Sequence, residues 1–178
     1  ILAAVMHWNH IYHWLHGGIM DPASEHYDAI LAGKEAYLNG TFFIARTIFY
    51  LLSWNYFAKK LRHLSVLEDE QGGTAIHFRG VRTSAWFMVF FAVTSAMASW
   101  DWIMSIDPHW FSTIFGWYVF AEWCAIGFTT VLLFTLYLKR QGYLPDVNEN
   151  HIHDLGKWVF AFSLVWTYIW FSQFMLIW

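Results

Sequence analysis

The fold class this sequence predicts is all-α, a polytopic transmembrane helical bundle, and three observations lead there. Hydrophobic residues make up 58% of the 178 residues and charged residues only 13%, whereas a soluble domain is about half apolar and a quarter charged. The apolar residues lie in blocks, and a helix needs roughly 20 such residues to cross a bilayer. Four tryptophans crowd residues 99–120, marking the level where an amphipathic ring settles between lipid and water. The chain, 1–178, reads as a single helical domain.

Residues 1–16 read as the outgoing end of one span. The chain opens on Ile1 without a charged leading segment, which argues against a signal peptide, and it stops at Trp178 on an apolar helix. Both ends predict an internal piece of a longer protein. The first complete span is predicted at about 41–57. Residues 62–82, with Glu68, Asp69, Glu70 and the Gly72-Gly73 pair, read as a solvated turn. The second span follows at about 83–104. Asp107-Pro108 is a helix-start signal, Asp as N-cap and Pro at the first helical position. It predicts a short interfacial helix over 108–115, broken at Gly116, before the third span at about 115–138. Gly142, Pro145, Asn148 and Asn150 make 141–150 a turn. Asp154 then suits the N-cap of the fourth span, about 155–178.

Basic residues set the orientation, because Lys and Arg concentrate in cytoplasmic loops. Lys59, Lys60, Arg62, Arg79 and Arg82 follow the first complete span, and Lys139, Arg140 and Lys157 flank the turn after the third. Connections 17–40 and 105–114 hold only Lys34 among basic residues and carry Asp21, Glu25, Asp28, Glu35 and Asp107. The acidic connections are therefore expected outside.

Several kinds of chemistry are excluded. A net charge of −3 provides no broad basic face for nucleic acid. The one cysteine, Cys124, has no partner for an internal disulfide, and no Cys-x-x-Cys motif is present for iron–sulfur ligation or haem attachment. None of the four complete spans has a histidine in its body, so a b-type haem hung between facing helices has no ligands here. His7, His10, His13 and His16 recur every three residues. That step drifts around a helix of 3.6 residues per turn, so they read first as interfacial histidines, with a metal or proton role as the alternative. No metal ligand set is assigned.

Ionisable groups in or against the spans are functional candidates, since each is costly in hydrocarbon. Arg46 reads as one half of a structural ion pair, with Asp101 or Glu122 as its partner. Asp101 and Glu122 read equally as proton-relay carboxylates or as packing groups. Asp101, Asp107 and His109 form an outer polar mouth, and His151, His153, Asp154 and Lys157 an inner one, with Glu122 between them on the outer side. Together these acids, histidines and Lys157 are the candidate proton path, and no catalytic residue is assigned.

Three stretches carry a resemblance. One is Gly33-Lys34-Glu35-Ala36-Tyr37-Leu38-Asn39 with Phe42-Phe43-Ile44-Ala45-Arg46. The second is 100–120. The third runs from Gly142-Tyr143-Leu144-Pro145-Asp146 through His151-Ile152-His153-Asp154 and Lys157 to Trp166-Thr167-Tyr168 and Gln173. Together they resemble ActF, the family of second large NrfD-like membrane subunits of bacterial alternative complex III. The resemblance implies two four-helix bundles in the inner (cytoplasmic) membrane, of which this chain covers the middle. It implies a respiratory quinol:cytochrome c oxidoreductase, with haem c and iron–sulfur clusters in partner subunits, a quinol-oxidising sister subunit, and no redox centre in this chain. It leaves this subunit a proton path, a docking surface or an accessory quinone site. Glu122 lies outside the family pattern. The alternatives are a stand-alone secondary transporter or proton channel, against which the Pro-free span bodies argue, and a purely structural scaffold.

Overall fold

The computed structural model describes residues 11–15 and 18–177, with the backbone alone at 177. Most of the span end predicted at 1–16, including His7, His10 and His16, lies outside the described residues. The structure is 77% helical, with no strand among the described residues. A single 3-10 turn at His13–Leu15 is followed by the short helix α1 (Ala29–Ala32), then α2 (Gly40–Gln71) and α3 (Thr74–Trp102). A second 3-10 turn at Met104–Ile106 precedes α4 (Phe115–Arg140) and α5 (Glu149–Ile177). The chain divides into two compact units, Ile1–Ser112 and Thr113–Trp178, each built on a helical hairpin.

Three helices are long and apolar enough to cross a membrane: Thr74–Ile106, Phe115–Arg140 and Glu149–Leu176. They contain the second and third expected spans and the fourth as far as Leu176. The first expected span, 41–57, also forms as helix, but Arg46 and Asn55 make α2 too polar to join that set.

The hairpin α2–α3 corrects the reading of 62–82 as a solvated turn. At 32 residues, α2 runs about 48 Å at 1.5 Å per residue, well past the roughly 30 Å hydrocarbon layer. Nothing in 60–71 breaks a helix, so it continues until Gly72 and Gly73, whose φ values of 64° and 92° only glycine adopts cheaply. An aromatic ladder closes the hairpin: Phe57 on Phe87 at 5.2 Å, Trp54 on Phe91 at 5.4 Å and Trp54 on Trp102 at 5.8 Å between centroids.

Two further expectations are corrected. Residues 108–114 form turns instead of an interfacial helix, and Gly116 sits inside α4. Lys34 Nζ donates to the Pro108 carbonyl at 2.6 Å, engaging the oxygen that would open such a helix. Asp154 does not cap α5 but lies within it. Asn148 takes that role, its Oδ1 accepting from the His151 N–H at 3.1 Å, so the helix starts more than a turn earlier.

In the second unit, α4 and α5 pack through stacked rings. Phe128 lies 5.6 Å from Trp158 and 5.4 Å from Phe162, and Tyr118 lies 5.6 Å from Trp166. Most of the outer faces of both helices stay exposed, including Trp117, Phe134, Tyr137, Phe160 and Tyr168.

Candidate functional site

The most organised polar cluster is buried inside the α2–α3 hairpin. Asn39 starts α2 by accepting the Phe42 N–H on its Oδ1 at 2.8 Å, which places Arg46 in the second turn. Arg46 Nε donates to Asp101 Oδ2 at 2.9 Å and Nη2 to Asp101 Oδ1 at 2.8 Å. This parallel two-bond geometry is the strongest form of such a pair. Nη2 also donates to the Tyr37 carbonyl at 3.2 Å. The guanidinium carbon lies 4.0 Å from the Tyr37 ring centroid and 4.1 Å from that of Phe42, so two π faces cover a cation already held by a carboxylate.

Asp101 is fully buried and Arg46 nearly so. Tyr50 donates its hydroxyl to Asp101 Oδ2 at 3.0 Å, and Ser105 Oγ donates to the Asp101 carbonyl. Each Asp101 oxygen therefore has a donor, and charge compensation is local. Hydroxyl and indole groups extend the cluster. Trp54 Nε1 donates to Thr94 Oγ1 at 3.0 Å and Trp102 Nε1 to Thr47 Oγ1 at 3.1 Å. Trp14 Nε1 reaches the Ser105 carbonyl and the Tyr12 hydroxyl the Trp102 carbonyl, both at 3.1 Å. These last two bonds tie the segment before α1 to the end of α3. The Tyr37 hydroxyl is buried; burial first, and then its interaction with the Asp101 carboxylate, push its ionisation well above the ordinary phenol value.

Beside this cluster the two acidic connections meet. His109 Nε2 lies 2.6 Å from Asp28 Oδ2, and Asp107 Oδ1 accepts the His109 N–H at 3.3 Å. Asp28 also caps α1, accepting from the Ile30 and Leu31 N–H groups at 2.9 and 3.3 Å. Desolvation raises its pKa, but these two N–H groups and His109 overcome it, so the carboxyl titrates below its ordinary value. His13, His26, Asp28, Asp107 and His109 line one open cavity of about 700 Å³. Among the described residues, no three side chains of His, Cys, Asp or Glu converge as metal ligands would. A second cavity of about 370 Å³ is walled by Tyr37, Trp100, Met104, Trp110 and Phe111, with Lys34 at its edge.

The remaining candidates belong to the second unit. Glu122 is half-buried on α4, and no ion pair reaches it among the described residues. Asp154 and Lys157 pair at 2.9 Å one turn apart on the exposed start of α5. His151 is used in the helix cap, and His153 is exposed. Of the candidates, then, Arg46 meets Asp101, Asp107 meets His109, and Asp154 meets Lys157.

Sequence reasoning missed Tyr37, Phe42 and Tyr50 around the pair, and Asp28, His26 and Lys34 at the cavity. Phe42 and Tyr50 stand four residues before and after Arg46, a spacing that shares a helix face, so those two were readable. Asp28 and Lys34 required knowing that two distant connections touch. No family model matches the chain, and no curated protein matches it in sequence.

Proposed function

We propose that this chain is an integral, cofactor-free membrane subunit of a respiratory quinol:cytochrome c oxidoreductase, of the ActF type found in bacterial alternative complex III. The observation that supports this reading most is that two of the three resembling stretches meet in one network. Arg46 and Tyr37 come from the first and Asp101 and Ser105 from the second. The three apolar helices support a membrane setting, which this reading takes to be the bacterial inner membrane, and the wide exposed faces of α4 and α5 offer surface to lipid and to the sister and redox subunits. In this reading haem c and iron–sulfur clusters are carried by partners. A quinone visiting this subunit would lie in the aromatic cavity beside Lys34, the ammonium supplying a donor to a ring oxygen.

In this reading the candidate proton groups divide by role. Asp101, compensated by Arg46 and bonded by Tyr50, is a fixed counter-charge, because protonating it would strand a buried guanidinium. The outer mouth is Asp107, His109 and Asp28, which face an open cavity and can exchange protons with water. Glu122 is the intramembrane carboxylate that no ion pair reaches among the described residues, which makes it the relay candidate between the two mouths. The inner groups are His153, Asp154 and Lys157.

The test is the whole complex purified from membranes. Haem and iron–sulfur spectra should accompany this chain, and Glu122→Gln should slow proton release coupled to quinol oxidation while haem content stays constant. A colourless single-chain preparation that transports solute overturns the oxidoreductase reading in favour of a transporter. Full proton release by Glu122→Gln leaves the scaffold role alone. Orientation is read separately: a cysteine at position 69 should resist an impermeant reagent added outside intact cells.

A further inference from the structure

At the end of the α2–α3 hairpin away from the ion pair, the two helices leave a groove of about 460 Å³. Its walls are Tyr56, Phe57, Trp86 and Phe90, and Lys60 and Arg82 stand at its rim. Apolar walls with a cationic rim are the inverse of an anionic amphiphile. Neither cation is neutralised by a carboxylate among the described residues. Lys60 rests its ammonium 5.7 Å from the Tyr56 ring. The acids on the same hairpin, Glu68, Asp69 and Glu70, lie two turns or more further along α2, and Glu68 is engaged by His77 at 2.9 Å. Lys59, Arg62 and Arg79 add positive charge at the same end. Arg82 begins the apolar block of α3 and Lys60 follows that of α2, so both fall where hydrocarbon gives way to headgroups, the level that Tyr56 and Trp86 also favour.

We propose that this groove is a binding site for an anionic phospholipid of the basic-side leaflet. The phosphate sits between the Lys60 ammonium and the Arg82 guanidinium, whose planar fork accommodates phosphate oxygens, and an acyl chain lies along Phe57, Trp86 and Phe90. Basic pockets between helices on the cytoplasmic side are suited to such headgroups, and each cation near the surface strengthens attraction about fivefold. The proposal rests on the chain being membrane-embedded and is independent of the complex to which it belongs.

The experiment titrates the full-length protein in detergent with phosphatidylglycerol and with phosphatidylcholine, read by native mass spectrometry. Phosphatidylglycerol should bind more tightly. Lys60→Gln and Arg82→Gln should each weaken it about fivefold, and together about thirtyfold, with phosphatidylcholine binding unchanged. The charge-keeping pair Lys60→Arg with Arg82→Lys should retain the preference, which distinguishes lost charge from lost folding. Equal binding of both lipids overturns the site, as does an equal loss in Lys139→Gln with Arg140→Gln, which would mean a diffuse surface field. A chain that stays soluble without detergent overturns the membrane reading itself, a result distinct from either.

Discussion

The α2–α3 hairpin adds to its aromatic ladder a buried ion pair set among hydroxyls and indole N–H groups, whereas stacked rings join α4 to α5. In the first, Arg46, Asp101, Tyr50, Trp54 and Thr94 are bonded across the helix interface. In the second, Phe128, Trp158 and Phe162 make the contact, and no ion pair reaches Glu122 among the described residues. A directional polar network fixes one register and one spacing, because any slip strands a buried charge. Ring stacking tolerates small shifts and is worth about 0.5–1.5 kcal/mol per pair beyond area burial. The first hairpin is therefore specified from within, and the second is left adaptable, with faces and polar groups free for lipid or neighbouring helices.

The largest test of that difference removes one side of the ion pair. Asp101→Ala should destabilise the first unit by about 3–5 kcal/mol, the usual result of stranding a buried charge. The double variant Arg46→Met with Asp101→Leu should recover most of the loss, since well-packed apolar replacements of buried pairs are often neutral. Thermal and denaturant unfolding in detergent measures both. A single variant that unfolds like the parent would mean that the pair is already hydrated, and the contrast between the hairpins would collapse.

Arg46 shows how much could be read beforehand. Its need for a counter-charge was legible, because an unpaired guanidinium in hydrocarbon costs at least about 2.5 kcal/mol. The choice between Asp101 and Glu122 was not, because it depends on where the chain reverses. Arg46 and Asp101 lie almost equally far from the Gly72-Gly73 break, and a continuous helical hairpin turning there brings them level. The acidic run Glu68-Asp69-Glu70 disguised that continuity as a loop. The missing helix over 108–115 has a similar cause: Lys34, 74 residues away, takes the Pro108 carbonyl, and local helix-start signals carry no trace of it. The apolar helices themselves were legible because their composition alone demands burial or lipid, but only α4 matches its expected bounds closely, and α3 and α5 begin well before the predicted 83 and 155.

A smaller effect sharpens the same comparison. Tyr50→Phe removes one donor to a buried carboxylate and should cost about 1.5–3 kcal/mol, the range for hydrogen bonds to charged groups. Phe128→Leu in the second hairpin keeps an apolar side chain but loses two stacked contacts, for about 1–3 kcal/mol, and the lower end is expected because a hairpin that tolerates shifts can repack around the leucine. If the ring change proves the more damaging, the second hairpin is the more tightly specified of the two, and its exposed faces are not adaptable surface.

The smallest effect appears only when pH is varied. Asp28 is worth testing because it joins the two acidic connections. Burial raises its pKa, but the Ile30 and Leu31 N–H groups and His109 outweigh this and hold the carboxyl below its ordinary value. A group whose pKa is depressed on folding favours the folded state above its unfolded pKa, about 3.9 for Asp. That contribution is lost as pH falls through the lower, folded value. Asp28→Asn keeps a side-chain oxygen able to cap α1, since Asn and Asp serve almost equally there, and it removes the charge that faces His109. The melting temperature of the variant should therefore lie below that of the parent at pH 6. The gap should close as the pH is lowered from about 4 towards the folded pKa, where the parent's own carboxyl takes up its proton. A gap of constant size down to acid pH would assign Asp28 to shape alone, and the contact between the two connections would then rest on Lys34 and the Pro108 carbonyl.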